Sequence, residues 1–219
     1  GRFRALTALA LTLGLVHFTL IFVGVTMTDA SVASILAQTQ VPFAALLSAI
    51  VFRDVLGWRR GLGMLLSMVG VAIIAGMPQE GSTLLGMSLV VAASLMWGLA
   101  NIQMKLLADL DGLVINAWMA VLAAPMLLAA SLLAETGHWT VVTTASWRAW
   151  GAVLFQAIAV VIFGYTVWYA MLRRYAVNQV MPFTLLLPPV SVMWAVILLG
   201  ERVTWSLVVG GVVTVAGVA

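Results

Sequence analysis

Residues 3–72 recur, without a gap, 147 positions later in this chain of 219 residues. Phe18 recurs as Tyr165 and Phe22 as Tyr169. A proline, an acid, a tryptophan and two glycines recur at the same offset: Pro42 as Pro189, Asp54 as Glu201, Trp58 as Trp205, Gly63 as Gly210, and Gly70 as Gly217. Self-similarity at a fixed period indicates an architecture built from repeated units.

The composition indicates a membrane protein. Hydrophobic residues make up 64% of the chain and charged residues 8%, whereas a soluble domain carries about 25% charged residues. Apolar runs of this length predict helices that cross a bilayer, because lipid offers the backbone no hydrogen-bond partners. A repeated sequence in such a chain favours a transporter built from two related halves. The absence of cysteine excludes disulfides, thiolate catalysis and cysteine-ligated metals.

We therefore predict an all-α integral membrane protein. Eight spans are expected, at residues 3–25, 31–52, 58–76, 84–106, 113–134, 150–172, 177–199 and 205–219. With the N-terminus in the cytoplasm, eight of the ten Lys and Arg residues fall inside, and only Arg148 and Arg202 fall outside. This bias sets the orientation. The basic residues lie at helix ends and form no patch, so nucleic acid is not an expected partner.

In this topology Asp54 lies inside and Glu201 outside, so the two copies are inverted. Inversion requires an odd number of helices in each half. The second half, residues 84–219, contains five, and residues 1–76 contain three, with 77–83 as the linker. We therefore expect two further helices of the first half to precede Gly1, in a ten-helix (5+5) inverted-repeat fold of which eight helices are visible here.

Several segments resemble the EamA family of the drug/metabolite transporter superfamily. Both copies carry small residues, a mid-helix proline, an acid-arginine turn and glycines nine and sixteen residues past the acid. "MWGLANIQMK" is similar to the stretch that opens such a half. In the acid-arginine turn of the first copy, Arg53-Asp54 stands where the family usually has Gly-Glu. "QTQ" and "GYTVWYAMLRRY" resemble most the branch that exports O-acetylserine and cysteine. The resemblance implies ten helices in two inverted halves and transport of small molecules.

Polar groups inside apolar spans are costly and are therefore candidates for substrate binding. Trp97 and Asn101 share one stripe of the fourth span with Lys105, which would lie at the inner end of the cavity. The alternative is hydrogen bonding between helices by Asn101 and a snorkelling Lys105. Gln38 and Gln40 precede Pro42, which frees the carbonyl of Gln38. An amide bond between helices at a kink is equally compatible with these glutamines.

His17 could bind substrate or relay protons, or it could be a neutral hydrogen-bonded side chain. Tyr165 and Tyr169 could present hydroxyls to the substrate, but their repeat partners are phenylalanines, which favours packing. Gln156 is a further candidate. Asp54 and Glu201 are expected to cap helix turns. No Asp or Glu lies in the interior of a predicted span, so the sequence is compatible both with ion-coupled transport and with uniport, and it names no coupling ion.

The sequence thus predicts a secondary transporter of the inner (plasma) membrane, crossing it several times, that exports small polar metabolites, amino acids or derivatives, by alternating access. A drug or sugar-derivative carrier, and a scaffold that transports nothing, are the alternatives. The sequence contains no P-loop, which an ATP-driven pump would require, and no nucleophile–base pair of the kind that an enzyme site would use. The expected partners are a small-molecule substrate and the bilayer, with no cofactor and no metal. A homodimer stays open.

Overall fold

The structure is a computed structural model that describes residues 1–53, 57–76, 81–180 and 187–218. Within these ranges the secondary structure is helical, with no β-strand. We number the helices α1 (Arg2–Thr26), α2 (Ala30–Phe52), α3 (Trp58–Gly76), α4 (Leu84–Leu106), α5 (Gly112–Ala134), α6 (His138–Thr144), α7 (Trp147–Arg174), α8 (Val177–Val180), α9 (Leu187–Trp194 with Ala195–Leu199) and α10 (Trp205–Val218).

Five of these helices, α1, α2, α4, α5 and α7, are long and apolar enough to cross a membrane. Shorter apolar helices cover Gly61–Ile74, Val190–Leu199 and Trp205–Gly217. The prediction of an all-α membrane protein is confirmed in this form. The count of eight spans, the 5+5 arrangement and the boundaries 1–76, 77–83 and 84–219 stay predictions. Asp54 and residues 77–80 of the predicted linker lie outside the described residues.

Three of the described helices contain a π-helical segment, in which the hydrogen bonds reach one residue further than in an α-helix. One is Ala195–Leu199 in α9, and the other two lie in α1 and α7. In α1 the segment is Ala10–His17, and in α7 it is Gln156–Gly164. The repeat offset carries residues 10–17 onto 157–164, so the two irregular segments coincide in the repeat. Helix α2 also departs from α-geometry, in a 3₁₀ turn at Ala37–Thr39 just before Gln40. Such departures within helices frequently mark functional positions.

The chain folds into two compact units, the first formed by Gly1–Leu15 and Gln103–Tyr175. In this unit, α7 and the start of α1 pack against α5. Gly112 lets α5 approach α7 closely, since an added Cβ there would lie 2.9 Å from the Cβ of Tyr169. Two ion pairs, Arg2–Asp109 and Arg173–Asp111, join its helix ends. Exposed pairs of this kind contribute little stability.

The second unit comprises Val16–Ile102 and Ala176–Ala219. Its core is aliphatic, with Val32, Leu36, Ile74, Val90 and Leu207 buried together. Because lipid is as apolar as these side chains, their contacts are stabilised by van der Waals packing rather than by removal from water. This core joins α2 to α3, α4 and α10.

Helices α3 and α10 make the closest contact of the second unit, along a surface of four glycines that we call the glycine seam. An added Cβ at Gly217 would lie 2.5 Å from the Gly63 carbonyl oxygen, and one at Gly70 would lie 2.6 Å from that of Gly210. These distances are too short for any side chain, so only glycine permits this approach. Since Gly63 meets Gly217 while Gly70 meets Gly210, the two helices run antiparallel.

Glu201 caps the first turn of α2. Its two carboxylate oxygens accept hydrogen bonds from the backbone N–H groups of Ala30 (2.7 Å) and Ser31 (3.0 Å). The first N–H groups of a helix have no partner within the helix, and they carry partial positive charge. A carboxylate therefore satisfies both the hydrogen bonding and the dipole of α2. Glu201 has the capping role that the sequence predicts, but on a helix 171 residues away.

Candidate functional site

His17 ends the π-helical segment of α1 and is anchored to α4. Its Nδ1 lies 2.9 Å from the carbonyl oxygen of Ala93. Its ring is flanked by the rings of Phe18 and Trp97, each with a centroid distance of 5.3 Å. A carbonyl oxygen can only accept a hydrogen bond, so Nδ1 carries the proton and donates it. In the neutral ring Nε2 is then the acceptor.

Asn101 lies one turn beyond Trp97 on α4 and is fully buried. Its Nδ2 donates a hydrogen bond of 2.8 Å to the backbone carbonyl of Trp97. The structure therefore brings together three of the predicted residues, His17, Trp97 and Asn101, on facing helices of the second unit. Their roles in binding stay predictions.

Lys105, the third residue of the predicted stripe, belongs to the first unit. Its Nζ donates to the carbonyl oxygens of Leu172 (2.8 Å) and Tyr175 (3.0 Å), at the end of α7. Carbonyls at a helix C-terminus lack partners and attract cations. Lys105 thus caps α7, and this contact accounts for its position without a substrate.

Gln38 and Gln40 lie at the 3₁₀ turn of α2 in the second unit. Gln38 is fully buried, with its Nε2 3.4 Å from the carbonyl oxygen of Ser34, and Gln40 is almost as deeply buried. Thr39, between them, donates to the carbonyl of Leu36 at 2.8 Å. Three consecutive polar residues are therefore enclosed at one irregular turn. Burial of such groups is costly and favours a function for them.

Tyr165, Tyr169 and Gln156 lie on α7. The two tyrosine rings are 6.1 Å apart, and the Tyr169 hydroxyl donates to the sulfur of Met119 at 3.8 Å. Tyr169 is 1% exposed, which fits packing against α5. Gln156, at the start of the π-helical segment, is exposed on the described chain. These three residues belong to the first unit, and His17, Trp97 and Asn101 belong to the second.

Two buried amides of the first unit were missed by the sequence analysis. Asn116 donates from Nδ2 to the carbonyl of Val161, inside the π-helical segment of α7, at 2.7 Å. Gln103 donates from Nε2 to Thr12 Oγ1 at 3.1 Å. Their amide oxygens, Asn116 Oδ1 and Gln103 Oε1, are buried with no hydrogen-bond partner in the described residues. The available signal was simply an amide side chain inside an apolar helix.

His138 contacts Ser131 and Glu135 beside α6, an arrangement that superficially suggests a hydrolase. His138 Nε2 is 3.1 Å from Ser131 Oγ, which in turn donates to Glu135. In a catalytic triad the carboxylate orients the histidine, whereas here it accepts the hydrogen bond of the serine hydroxyl. The described residues also contain no cluster of three or more histidine and acidic side chains that could hold a metal.

The model of the EamA-like transporter family matches residues 1–76 and 84–219. The chain belongs to the EamA-like transporter family. Among curated EamA relatives, a probable amino-acid metabolite efflux pump of Salmonella typhimurium is 30% identical over 94% of this chain and 72% of its own length. A protein of the same description from Escherichia coli K12 is 28% identical over the same shares. An uncharacterized transporter of Bacillus subtilis is 24% identical over 96% of this chain and 72% of its own.

A solved structure shares the fold of this EamA chain. It superposes with a TM-score of 0.64 over 98% of this chain and 85% of its own, at 18% identity. Together with the apolar helices, family membership makes the chain a multi-pass membrane transporter. The predicted family and its transport role are confirmed, and the scaffold alternative is disfavoured.

Proposed function

We propose that this EamA protein exports amino acids or their small polar derivatives across a bacterial inner membrane by alternating access. The observation that carries the proposal is a set of uncharged polar side chains in the second unit: the buried Gln38, Gln40 and Asn101, and the half-buried His17. A zwitterion has no net charge, so hydrogen-bonding groups without formal charge suit it. The relatives described as amino-acid metabolite efflux pumps support the same substrate class.

Lys105 weighs against a phosphorylated sugar derivative. Phosphate recognition favours cationic side chains, and Lys105 is the cation that shares the predicted stripe of Trp97 and Asn101. Its ammonium already donates to two carbonyl oxygens at the end of α7. An uncharged drug-like substrate of the same superfamily remains the second candidate, because the buried amides would suit it as well.

The glycine seam supports the ten-helix inverted repeat as part of this proposal. The repeat offset converts Gly63 into Gly210 and Gly70 into Gly217, so the contact of Gly63 with Gly217 maps onto that of Gly210 with Gly70. The repeat therefore converts each of these two contacts into the other, which gives the helix pair local twofold symmetry. Because α3 and α10 are antiparallel, the axis is perpendicular to both helices, and hence close to the membrane plane. This is the symmetry on which alternating access by inverted repeats depends.

Transport by the full-length protein tests the proposal. Cells overexpressing it should secrete amino acids and resist toxic analogues. Gln38→Leu and Asn101→Leu should abolish both effects at unchanged membrane abundance, because each removes a buried polar group. Thr143→Val, on the exposed face of α6, is the control and should behave as wild type. Normal export by both α2 and α4 variants would contradict the site, and the lack of any amino-acid export by wild type would contradict the substrate class.

Cysteine labelling tests the orientation independently, because the sequence contains no cysteine of its own. Thr140→Cys on α6 should react with an impermeant maleimide from outside the cell, whereas Gly57→Cys should react only after the membrane is opened. Both positions are exposed, and an added Cβ at Gly57 meets nothing within 4 Å. The reverse pattern of labelling would contradict the predicted topology.

A further inference from the structure

The hydrogen bond between His17 and Ala93 decides which chemistry the imidazole can offer. The Ala93 carbonyl oxygen holds Nδ1–H at 2.9 Å, which fixes both the tautomer and the direction of the ring. This is the only hydrogen bond of the His17 side chain within the described parts of the chain. Nε2 therefore presents a lone pair that no described protein group uses.

The surroundings of Nε2 suit a cation. The Trp97 ring lies with its centroid 5.3 Å from that of His17, at an angle of 46°, and the Phe18 ring lies at the same centroid distance, at an angle of 60°. Aromatic faces attract ammonium groups within about 6 Å. A neutral imidazole acceptor beside an indole thus forms a small site for a donor group that carries positive charge.

We propose that His17 Nε2 accepts a hydrogen bond from the protonated amino group of the substrate, with the Trp97 ring beside it. This inference rests on the proposed function and specifies which half of the zwitterion the second unit recognises. It also gives a reason for the absence of Asp and Glu from the interior of the predicted spans. An unpaired carboxylate would be costly to keep buried in the empty carrier, whereas a neutral histidine is not.

The test uses two isomers, O-acetyl-L-serine and N-acetyl-L-serine. They contain the same atoms and the same carboxylate, but only the first has an ammonium group. Uptake of each would be measured in proteoliposomes that contain the full-length protein, at pH 6, where the O-acetyl compound is stable, beside a panel of common amino acids. Wild type should transport the O-acetyl isomer at least about tenfold faster, since a hydrogen bond to a charged group has that value.

The discriminating variant is His17→Asn. The amide nitrogen of asparagine can occupy the place of Nδ1 and donate to Ala93, but asparagine has no atom at the place of Nε2. We expect a normal melting temperature, a loss of O-acetyl-L-serine transport of about tenfold or more, and no preference between the isomers. A purely structural histidine predicts unchanged selectivity in this variant, which would overturn the inference.

The wild-type comparison needs no variant and protects the test against misfolding. Equal transport of the two isomers by wild type would also overturn the ammonium site, while leaving the proposed function intact. Failure of wild type to transport O-acetyl-L-serine or any amino acid of the panel would instead overturn the proposed function, and the inference with it.

Discussion

Helices α1 and α7 occupy equivalent positions in the repeat, and they agree in main chain while differing in chemistry. Both contain a π-helical segment, and the two segments end at equivalent residues, His17 and Gly164. In α1 this residue is anchored to Ala93, whereas in α7 it has no side chain. The comparison teaches that the two helices keep the same irregular backbone at a position where only α1 has a polar side chain.

The glycine seam shows the opposite behaviour. There both copies use the same residue type at the same positions, because close packing of α3 on α10 tolerates no side chain in either partner. Symmetry therefore persists where the backbone makes the contact, and it is lost at the equivalent positions of His17 and Gly164. Substitutions in these two regions should accordingly have different consequences.

The largest expected effect comes from breaking the symmetric region. Gly70→Ala places a Cβ 2.3 Å from Thr214 Oγ1 and 2.5 Å from the Thr214 nitrogen, so α10 has to move. We expect a loss of about 1–3 kcal/mol, typical of overpacking. Gly217→Ala, its repeat counterpart, should cost a similar amount. The measurement is thermal unfolding of the detergent-solubilised full-length protein, followed by tryptophan fluorescence.

Gly61→Ala is the matched control for the seam, because it lies on the same helix and its added Cβ meets nothing within 4 Å. This variant should be neutral or stabilised by up to about 1 kcal/mol, owing to the higher helix propensity of alanine. Equal melting temperatures for the Gly70 and Gly61 variants would contradict the described packing.

The next effect concerns the Glu201 cap. Glu201→Ala leaves the N–H groups of Ala30 and Ser31 without their acceptor and should cost about 0.5–2 kcal/mol. Glu201→Gln loses the charge and one of the two acceptor oxygens but keeps the other, so its cost should be smaller. Thermal unfolding measures both. If the two variants proved equally stable, charge and hydrogen bonding at this helix end would have to be reassessed.

Lys105→Met tests whether the lysine is a cap or a substrate ligand. Loss of a cation at the end of α7 should reduce stability by about 0.3–1 kcal/mol. Amino-acid export per folded molecule should be unchanged, since Nζ is occupied by the carbonyls of Leu172 and Tyr175. A large drop in export at normal abundance would place Lys105 in the binding site after all.

The smallest effect is expected from Tyr169→Phe, which makes α7 resemble α1 at the position of Phe22. The hydroxyl is buried against the weak acceptor sulfur of Met119, so its removal should cost no more than about 0.5 kcal/mol, the lower end of the range for a hydrogen bond. Export should persist. Abolished export with normal folding would show that the hydroxyl contacts substrate, and would extend recognition to the second copy.

Much of the helical framework could be predicted from the sequence, because apolar length alone determines which segments cross a bilayer. The fourth span, predicted at residues 84–106, is α4 from Leu84 to Leu106. The start of α7 was placed three residues late, since Ser146 caps it by accepting from the N–H of Ala149. Hydropathy predicts neither such caps nor the π-helical segments.

The site was harder to predict, because its contacts join residues far apart in sequence. His17 stood out as a polar residue in a span, but its anchor is a backbone carbonyl 76 residues away, and any residue supplies a carbonyl. Lys105 was proposed as a cavity residue because helical spacing aligned it with Asn101. Its partners are backbone carbonyls at the end of α7, and because every residue type has a backbone carbonyl, the sequence does not indicate them.

The cap that Glu201 forms on α2 also constrains the order in which the protein can fold during synthesis. The carboxylate follows Ala30 by 171 residues in the chain, which is about ten to thirty seconds of translation at 5–20 residues per second. During that interval the nascent α2 has no acceptor from Glu201 for its leading amides. The first turn of α2 acquires this acceptor only after the ribosome has synthesised Glu201, so the capping of α2 is completed late, after α2 itself has been made.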